Sequence, residues 1–126
     1  MIIPQQIKRE DRLVRNRKLI KSFKDLKTNW KGNQEEPIPQ IIIDTALKTL
    51  DQVLVQPEVF PETDSSIQFD FTNFDNFEIE VNIYPDKFII YTSKNNVEET
   101  KTIDNINCQS DIIINTINEF ISKSYV

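Results

Sequence analysis

The sequence predicts a two-layer α+β domain in which an antiparallel meander of three or four strands packs on three helices. Apolar residues recur at helical spacing in three segments, and two central segments alternate strictly between apolar and polar residues. A chain of 126 residues with 38% hydrophobic residues is long enough to bury one core without disulfides. The predicted order of elements is α-α-β-β-β-(β)-α.

The first helix is predicted from Gln5 to Trp30, a stretch without Pro or Gly. Its apolar stripe consists of Leu13, Leu19, Ile20, Phe23, Leu26 and Trp30. Gly32 then stands where a left-handed residue commonly closes a helix. Basic residues surround the axis of the first half. We therefore divide the chain into a basic arm, residues 1–18, which is expected to project, and a single α+β domain, residues 19–126.

The second helix is predicted over residues 39–55, with Pro39 in its first turn and Pro57 beyond its end. Its stripe consists of Ile43, Ala46, Leu47, Leu50 and Leu54. The segment QPEVFPETDSS that follows is predicted to be an extended lead-in, because Pro61 argues against a central strand.

The sheet is predicted from a change of period from 3.6 to 2. Residues 67–71 and 77–83 alternate on either side of the turn NFDN, and YPDK (84–87) suits a type I turn before a third strand over 88–92. The meander thus covers residues 66–93. A fourth, charged edge strand is predicted over 97–103. Ser110 is expected to cap a last helix whose stripe is Ile113, Ile117, Phe120 and Ile121.

One face of this sheet is apolar, and the opposite face carries Gln68, Asp70, Thr72, Glu78, Glu80 and Asn82. Pairing around NFDN would bring Asp70 within reach of Glu80. Such a carboxylate group suits a divalent metal ion or acid/base work, but nothing in the sequence supplies the dry pocket that shifts a pKa. We therefore favour a solvated face and predict no metal and no cofactor.

The composition argues against an enzyme. The chain has no histidine, one cysteine and one glycine, so it lacks the usual general base, the usual zinc ligands and a Gly-rich phosphate loop. No apolar run approaches the length of a membrane span, and no signal peptide is evident at the amino terminus. The expected location is the cytoplasm.

Charge is distributed unevenly around the net value of −5. Residues 1–31 carry ten Lys or Arg against three acids, whereas the remainder carries five Lys against seventeen acids. The basic candidates for partner binding are Lys8, Arg9, Arg12, Arg15, Arg17 and Lys18, and the acidic candidates are Asp70, Glu78 and Glu80. The basic residues could contact a partner protein, the acidic body, a second copy or a nucleic-acid backbone. No aromatic residue interleaves them to stack on a base.

Three motifs resemble a loosely defined group of small uncharacterised bacterial proteins. They are NWKGN around Trp30 and Gly32, the segment Pro61–Phe71, and the strand Glu78–Val81. The match covers residues 26–92. Lys31 replaces an acid of that group, no Tyr follows Gly32, and Ser65-Ser66 replaces a glycine pair. The resemblance implies genes near mobile elements, phage defence or toxin–antitoxin systems, without a defined chemistry.

Three hypotheses follow from these observations. The first is a non-catalytic protein-interaction module, in the role of an immunity, antitoxin or phage-defence accessory protein, with homodimerisation left open. The second is a nucleic-acid-binding accessory factor that uses the basic arm. The third, which we favour least, is a metal-dependent enzyme that uses Asp70, Glu78 and Glu80.

Overall fold

The fold combines three helices with one antiparallel sheet. The computed structural model describes residues 4–27, 29–32, 36–74, 77–104 and 111–124. The helices are α1 (Pro4–Ser22), α2 (Gln40–Gln52) and α3 (Ile112–Ser124). The strands are β1 (Glu58–Pro61), β2 (Ile67–Phe74), β3 (Phe77–Ile83), β4 (Phe88–Lys94) and β5 (Val97–Ile103). They pair in chain order. The predicted α+β class is confirmed, with five strands instead of three or four.

The register of the sheet separates an inner, apolar face from an open, polar face. Phe69 lies opposite Val81, and Val81 lies opposite Ile90, so these three side chains share the inner face. All three are almost completely buried. The inner face also buries Val59, Ile67, Phe71, Ile79, Ile83 and Phe88. The alternation of residues 67–71 and 77–83 therefore predicted the buried face correctly.

The helices close the second layer over the inner face. Their contribution to the core is Ile20, Ile42, Ile43, Ala46, Leu50, Ile113, Ile117 and Ile121. The stripes predicted for the second and last helices are confirmed at most positions, but Leu54 is 55% exposed because α2 ends at Gln52. The expected cap at Ser110 lies outside the described residues. None of the helices described combines the length and apolar character that a membrane crossing needs.

The first strand, β1, was not predicted. The presence of Pro61 argued for an extended lead-in, but Pro61 is the last residue of an edge strand, where its missing N–H costs no central ladder bond. Glu58 lies opposite Asp70, and Val59 lies opposite Phe69. The strand predicted over residues 88–92 is β4, and it runs to Lys94, two residues farther than the sequence indicated.

The prediction that the first helix runs to Trp30 is wrong. The α-helix ends at Ser22, whose hydroxyl donates to the Leu19 carbonyl, and a 3₁₀ turn over Phe23–Asp25 follows. Gly32 is left-handed as expected, with φ of 84°. It closes a turn rather than a helix, because its N–H donates to the Asn29 carbonyl over 3.0 Å.

From Arg9 onward, the basic arm lies on the body rather than projecting from it. The Arg9 guanidinium donates to the Val53 carbonyl over 2.8 Å. Asn16 is 6% exposed, and its amide donates to the Pro57 carbonyl over 2.9 Å and to the Gln56 side chain over 3.3 Å. Helix α1 continues without interruption past residue 18 into the buried Ile20. These hydrogen bonds fasten the arm to the segment between α2 and β1.

We expect the substitution Asn16→Ala to lower the free energy of unfolding by about 1–3 kcal/mol, because it leaves the buried Pro57 carbonyl without a donor. Denaturant unfolding followed by circular dichroism measures the change. The matched control is Asn115→Ala, at an exposed position of α3, which should change stability by less than about 0.5 kcal/mol. Equal effects of the two substitutions would show that Asn16 does not fasten α1.

Candidate functional site

The open face of the sheet brings the three acidic candidates together. Asp70 on β2 lies directly opposite Glu80 on β3, as the sequence predicted, and Glu78 is two residues from Glu80 on the same face. One carboxylate oxygen from each of the three side chains lies within 4.8 Å of the others. We call Asp70, Glu78 and Glu80 the acidic cluster. All three side chains are half-buried.

Repulsion within the cluster affects its ionisation. Partial burial raises the pKa of Glu80 above the ordinary value of 4.5, and the contact with Glu78 raises it further. The negative charges of Asp70 and of Glu62, in the loop after β1, act in the same direction. The surroundings of Glu80 therefore favour its neutral form, which is the opposite of the environment that an ion pair provides.

Further carboxylates extend the cluster across the open face, and the sequence interpretation missed them. Glu58 on β1 lies opposite Asp70, and it was missed because β1 itself was not predicted. Glu98 on β5 lies opposite Ser93 and accepts a hydrogen bond from the Tyr91 hydroxyl over 3.0 Å. The available signal for β1 was the pair Val59 and Phe60, a β-branched and an aromatic residue of the kinds that strands favour. The open face is thus acidic over four of the five strands.

The basic candidates lie on α1 and do not join the acidic cluster. Arg9 is held by the Val53 carbonyl, and Arg17 forms an ion pair of 2.6 Å with Asp51. Lys18 is exposed, and the side chain of Lys8 lies outside the described residues. Two of the six predicted residues therefore stabilise the contact between α1 and the body.

Arg12 and Arg15 line a groove of about 370 Å³ between α1 and β1. Two apolar side chains in the groove, Leu19 and Phe60, are 39% and 40% exposed. Glu58 also lines it, so this groove is where the basic surface of α1 meets the edge of the acidic face. The structure provides two adjoining surfaces of opposite charge.

The motif around Asp64 has a structural role. The Asp64 carboxylate accepts hydrogen bonds from the Ser66 hydroxyl and from the Tyr84 hydroxyl, the latter over 2.7 Å. Partial burial opposes ionisation, but these hydrogen bonds outweigh it and lower the pKa of Asp64. Ser65, which stands in place of a glycine of the resembled group, has φ of 68°. Asp64 therefore fixes the loop between β1 and β2.

Comparison with known proteins returns no relative. The chain matches no protein-family model, and neither a curated protein nor a solved structure matches it significantly. The resemblance to small bacterial proteins stays a prediction.

Because the folded protein raises the pKa of Glu80, its ionisation costs stability as pH rises through the folded-state value. We expect Glu80→Gln to raise the free energy of unfolding at neutral pH by less than about 1 kcal/mol, since water still screens the half-buried side chain. The gain should vanish below pH 4.5, where Glu80 is protonated in both states. Thermal unfolding at the two pH values measures this dependence.

The matched control for this experiment is Glu10→Gln, which removes one negative charge from an exposed position of α1. This control measures how much of the effect on stability comes from the change in net charge alone. A gain in stability that is equal for both variants, or that is the same at both pH values, would contradict repulsion within the acidic cluster.

Proposed function

We propose that the protein is a non-catalytic interaction module that binds a basic segment of a partner protein on the open face of its sheet. The observation that carries this proposal is the acidic cluster, in which three carboxylates lie within 4.8 Å of one another, on the face opposite the core that the described helices cover. Burial and the neighbouring carboxylates together raise the pKa of Glu80, and a Lys or Arg of a partner placed among them would offset both effects.

Charge complementarity extends beyond the cluster. The open face also carries Glu58 and Glu98, whereas the ion pairs Arg17–Asp51, Lys48–Asp111 and Lys123–Glu119 lie elsewhere. A basic partner would therefore meet carboxylates on β1, β2, β3 and β5. Acidic surfaces of this kind raise the rate of encounter with basic partners and select against acidic ones.

The same face offers side chains that suit protein contact. Tyr91 lies opposite Glu80, and Ile89 lies opposite Asn82, so both are on the open face and half-buried. Tyrosine is enriched at protein interfaces because it combines apolar area with a hydrogen-bonding hydroxyl. A partner could thus pack on Ile89 and the Tyr91 ring while its cations contact the neighbouring carboxylates.

The double substitution Glu78→Gln and Glu80→Gln should weaken the binding of a fluorescent lysine-rich peptide between about 2-fold and about 30-fold, since each exposed charge contact contributes up to about 1 kcal/mol. Fluorescence anisotropy at low and high salt measures the affinity. The matched control, Glu10→Gln with Asp25→Asn, removes the same net charge from exposed positions outside the sheet.

Only the open-face variant should lose affinity. The same two variants, used as bait in a cell lysate, should differ in the basic proteins that they retain after nuclease treatment. Equal losses for the two variants would mean that net charge, and not the open face, attracts the peptide, and this would contradict the proposal.

A divalent cation is the other ligand that three carboxylates suit. We expect calorimetric titration with Mg²⁺, Mn²⁺ or Ca²⁺ to give no heat below about 1 mM, because the three carboxylates lie on an open face, where a divalent ion keeps much of its hydration shell. Heat that disappears in the Glu78→Gln, Glu80→Gln variant would instead make the cluster a metal site.

Nucleic-acid binding through α1 is the second candidate, and the exposed Arg12 and Arg15 side chains of the groove favour it. Their contribution is limited, because Arg9 and Arg17 already contact the body. Labelled DNA or RNA that binds at low salt and is lost with Arg12→Gln and Arg15→Gln would support this alternative. An immunity, antitoxin or phage-defence role and a cytoplasmic location remain predictions.

A further inference from the structure

Strand β5 lies at the edge of the sheet, and its charged residues are arranged so that they would match those of a second, antiparallel copy of the strand. Strand β5 reads VEETKTI, and among the residues that the structure describes it pairs with β4 alone. Its residues are exposed from Val97 to Thr102. A strand with one unpaired edge presents a row of backbone donors and acceptors that another strand can use. Because β5 has seven residues, its centre is Thr100.

We propose that β5 pairs with β5 of a second copy, antiparallel and symmetric about Thr100, to join the two sheets into one. In this register Val97 lies opposite Ile103 of the other copy, Glu99 lies opposite Lys101, and Glu98 lies opposite Thr102. Each of these contacts occurs twice, as a two-fold axis requires. Opposite charges across a strand pair stabilise it.

The neighbouring symmetric registers are unfavourable. Pairing about Glu99 would place two Glu99 side chains against each other, and pairing about Lys101 would do the same with two lysines. Like charges directly opposite each other destabilise a strand pair. A two-fold axis perpendicular to the sheet also keeps the same face of both copies on the same side. It therefore excludes any register that would place a residue of the inner face opposite a residue of the open face. The charges of β5 therefore select the Thr100 register.

The apolar ends of β5 give this pairing a further contribution. Val97 is 62% exposed, although it belongs to the inner face with Glu99 and Lys101. Val97 also lines a cavity of about 410 Å³ with Phe77 and Phe120. Opposite Val97, the Ile103 side chain of the second copy would lie beside this cavity and cover its apolar mouth. Charged residues that discourage pairing with other proteins thus permit pairing with a second copy.

This inference does not rest on the proposed partner on the open face, and its test uses different variants. Sedimentation equilibrium of the full chain at micromolar concentrations should detect a dimer. Glu99→Lys and Lys101→Glu each place like charges in both cross-strand contacts, so each variant should dimerise at least about tenfold more weakly. The control Glu10→Lys makes the same change in net charge as Glu99→Lys, on α1, and should dimerise normally.

Charge swapping makes the register testable. The double variant Glu99→Lys with Lys101→Glu should recover the dimer, because each pair again joins opposite charges. A mixture of the two single variants should form a mixed dimer for the same reason. Circular dichroism confirms that each variant folds. A full chain that is monomeric throughout, or a dimer that both single variants leave unchanged, would overturn the proposal.

Cross-linking tests the centre of symmetry independently. In a chain carrying Cys108→Ser, Thr100→Cys should form a disulfide between copies, since the two Thr100 residues lie directly opposite each other. Thr102→Cys should not, because its two copies would be four residues apart along the strands, about 13 Å. Equal cross-linking at both positions would refute the Thr100 register.

Discussion

The pairing of β2 with β3 is the constraint on which the rest of the molecule depends. Side chains alternate between the two faces of a strand, so the register that joins Phe69 to Val81 inside the core also joins Asp70 to Glu80 outside it. Burial of the inner face fixes this register. The electrostatic repulsion within the acidic cluster is therefore imposed by the core and is too small to change the pairing.

The charges on the open face and the charges on β5 bear on which partner can bind more than on the stability of the fold. On the open face, carboxylates of Asp70, Glu78 and Glu80 gather and repel one another. On β5, Glu99 and Lys101 alternate in sign and stand two residues apart on one face. The first pattern suits a partner of opposite charge, and the second suits a strand of the same sequence read in reverse. We therefore propose two separate surfaces for two kinds of contact.

The sequence predicted those elements whose periodicity is strong and local. The alternation of residues 67–71 and 77–83 placed Asp70 opposite Glu80, and the charged segment 97–103 was identified as an edge strand. Contacts between residues that are distant in the sequence could not be predicted from periodicity. No periodicity indicates that Asn16 of the basic arm is buried against Pro57, or that Arg9 binds the Val53 carbonyl. Strand β1 was not predicted, because proline is unfavourable in a central strand and the sequence does not show that this strand lies at an edge of the sheet.

The decisive experiment determines the register of β2 against β3, since both the core and the acidic face depend on it. Nuclear Overhauser spectra of the isotope-labelled protein report which backbone protons lie across the strand pair. We expect contacts between Asp70 and Glu80 and between Phe69 and Val81. Contacts of Asp70 with Ile79 or Val81 instead would indicate a shift of one residue, which would turn the carboxylates toward the core and remove the open acidic face.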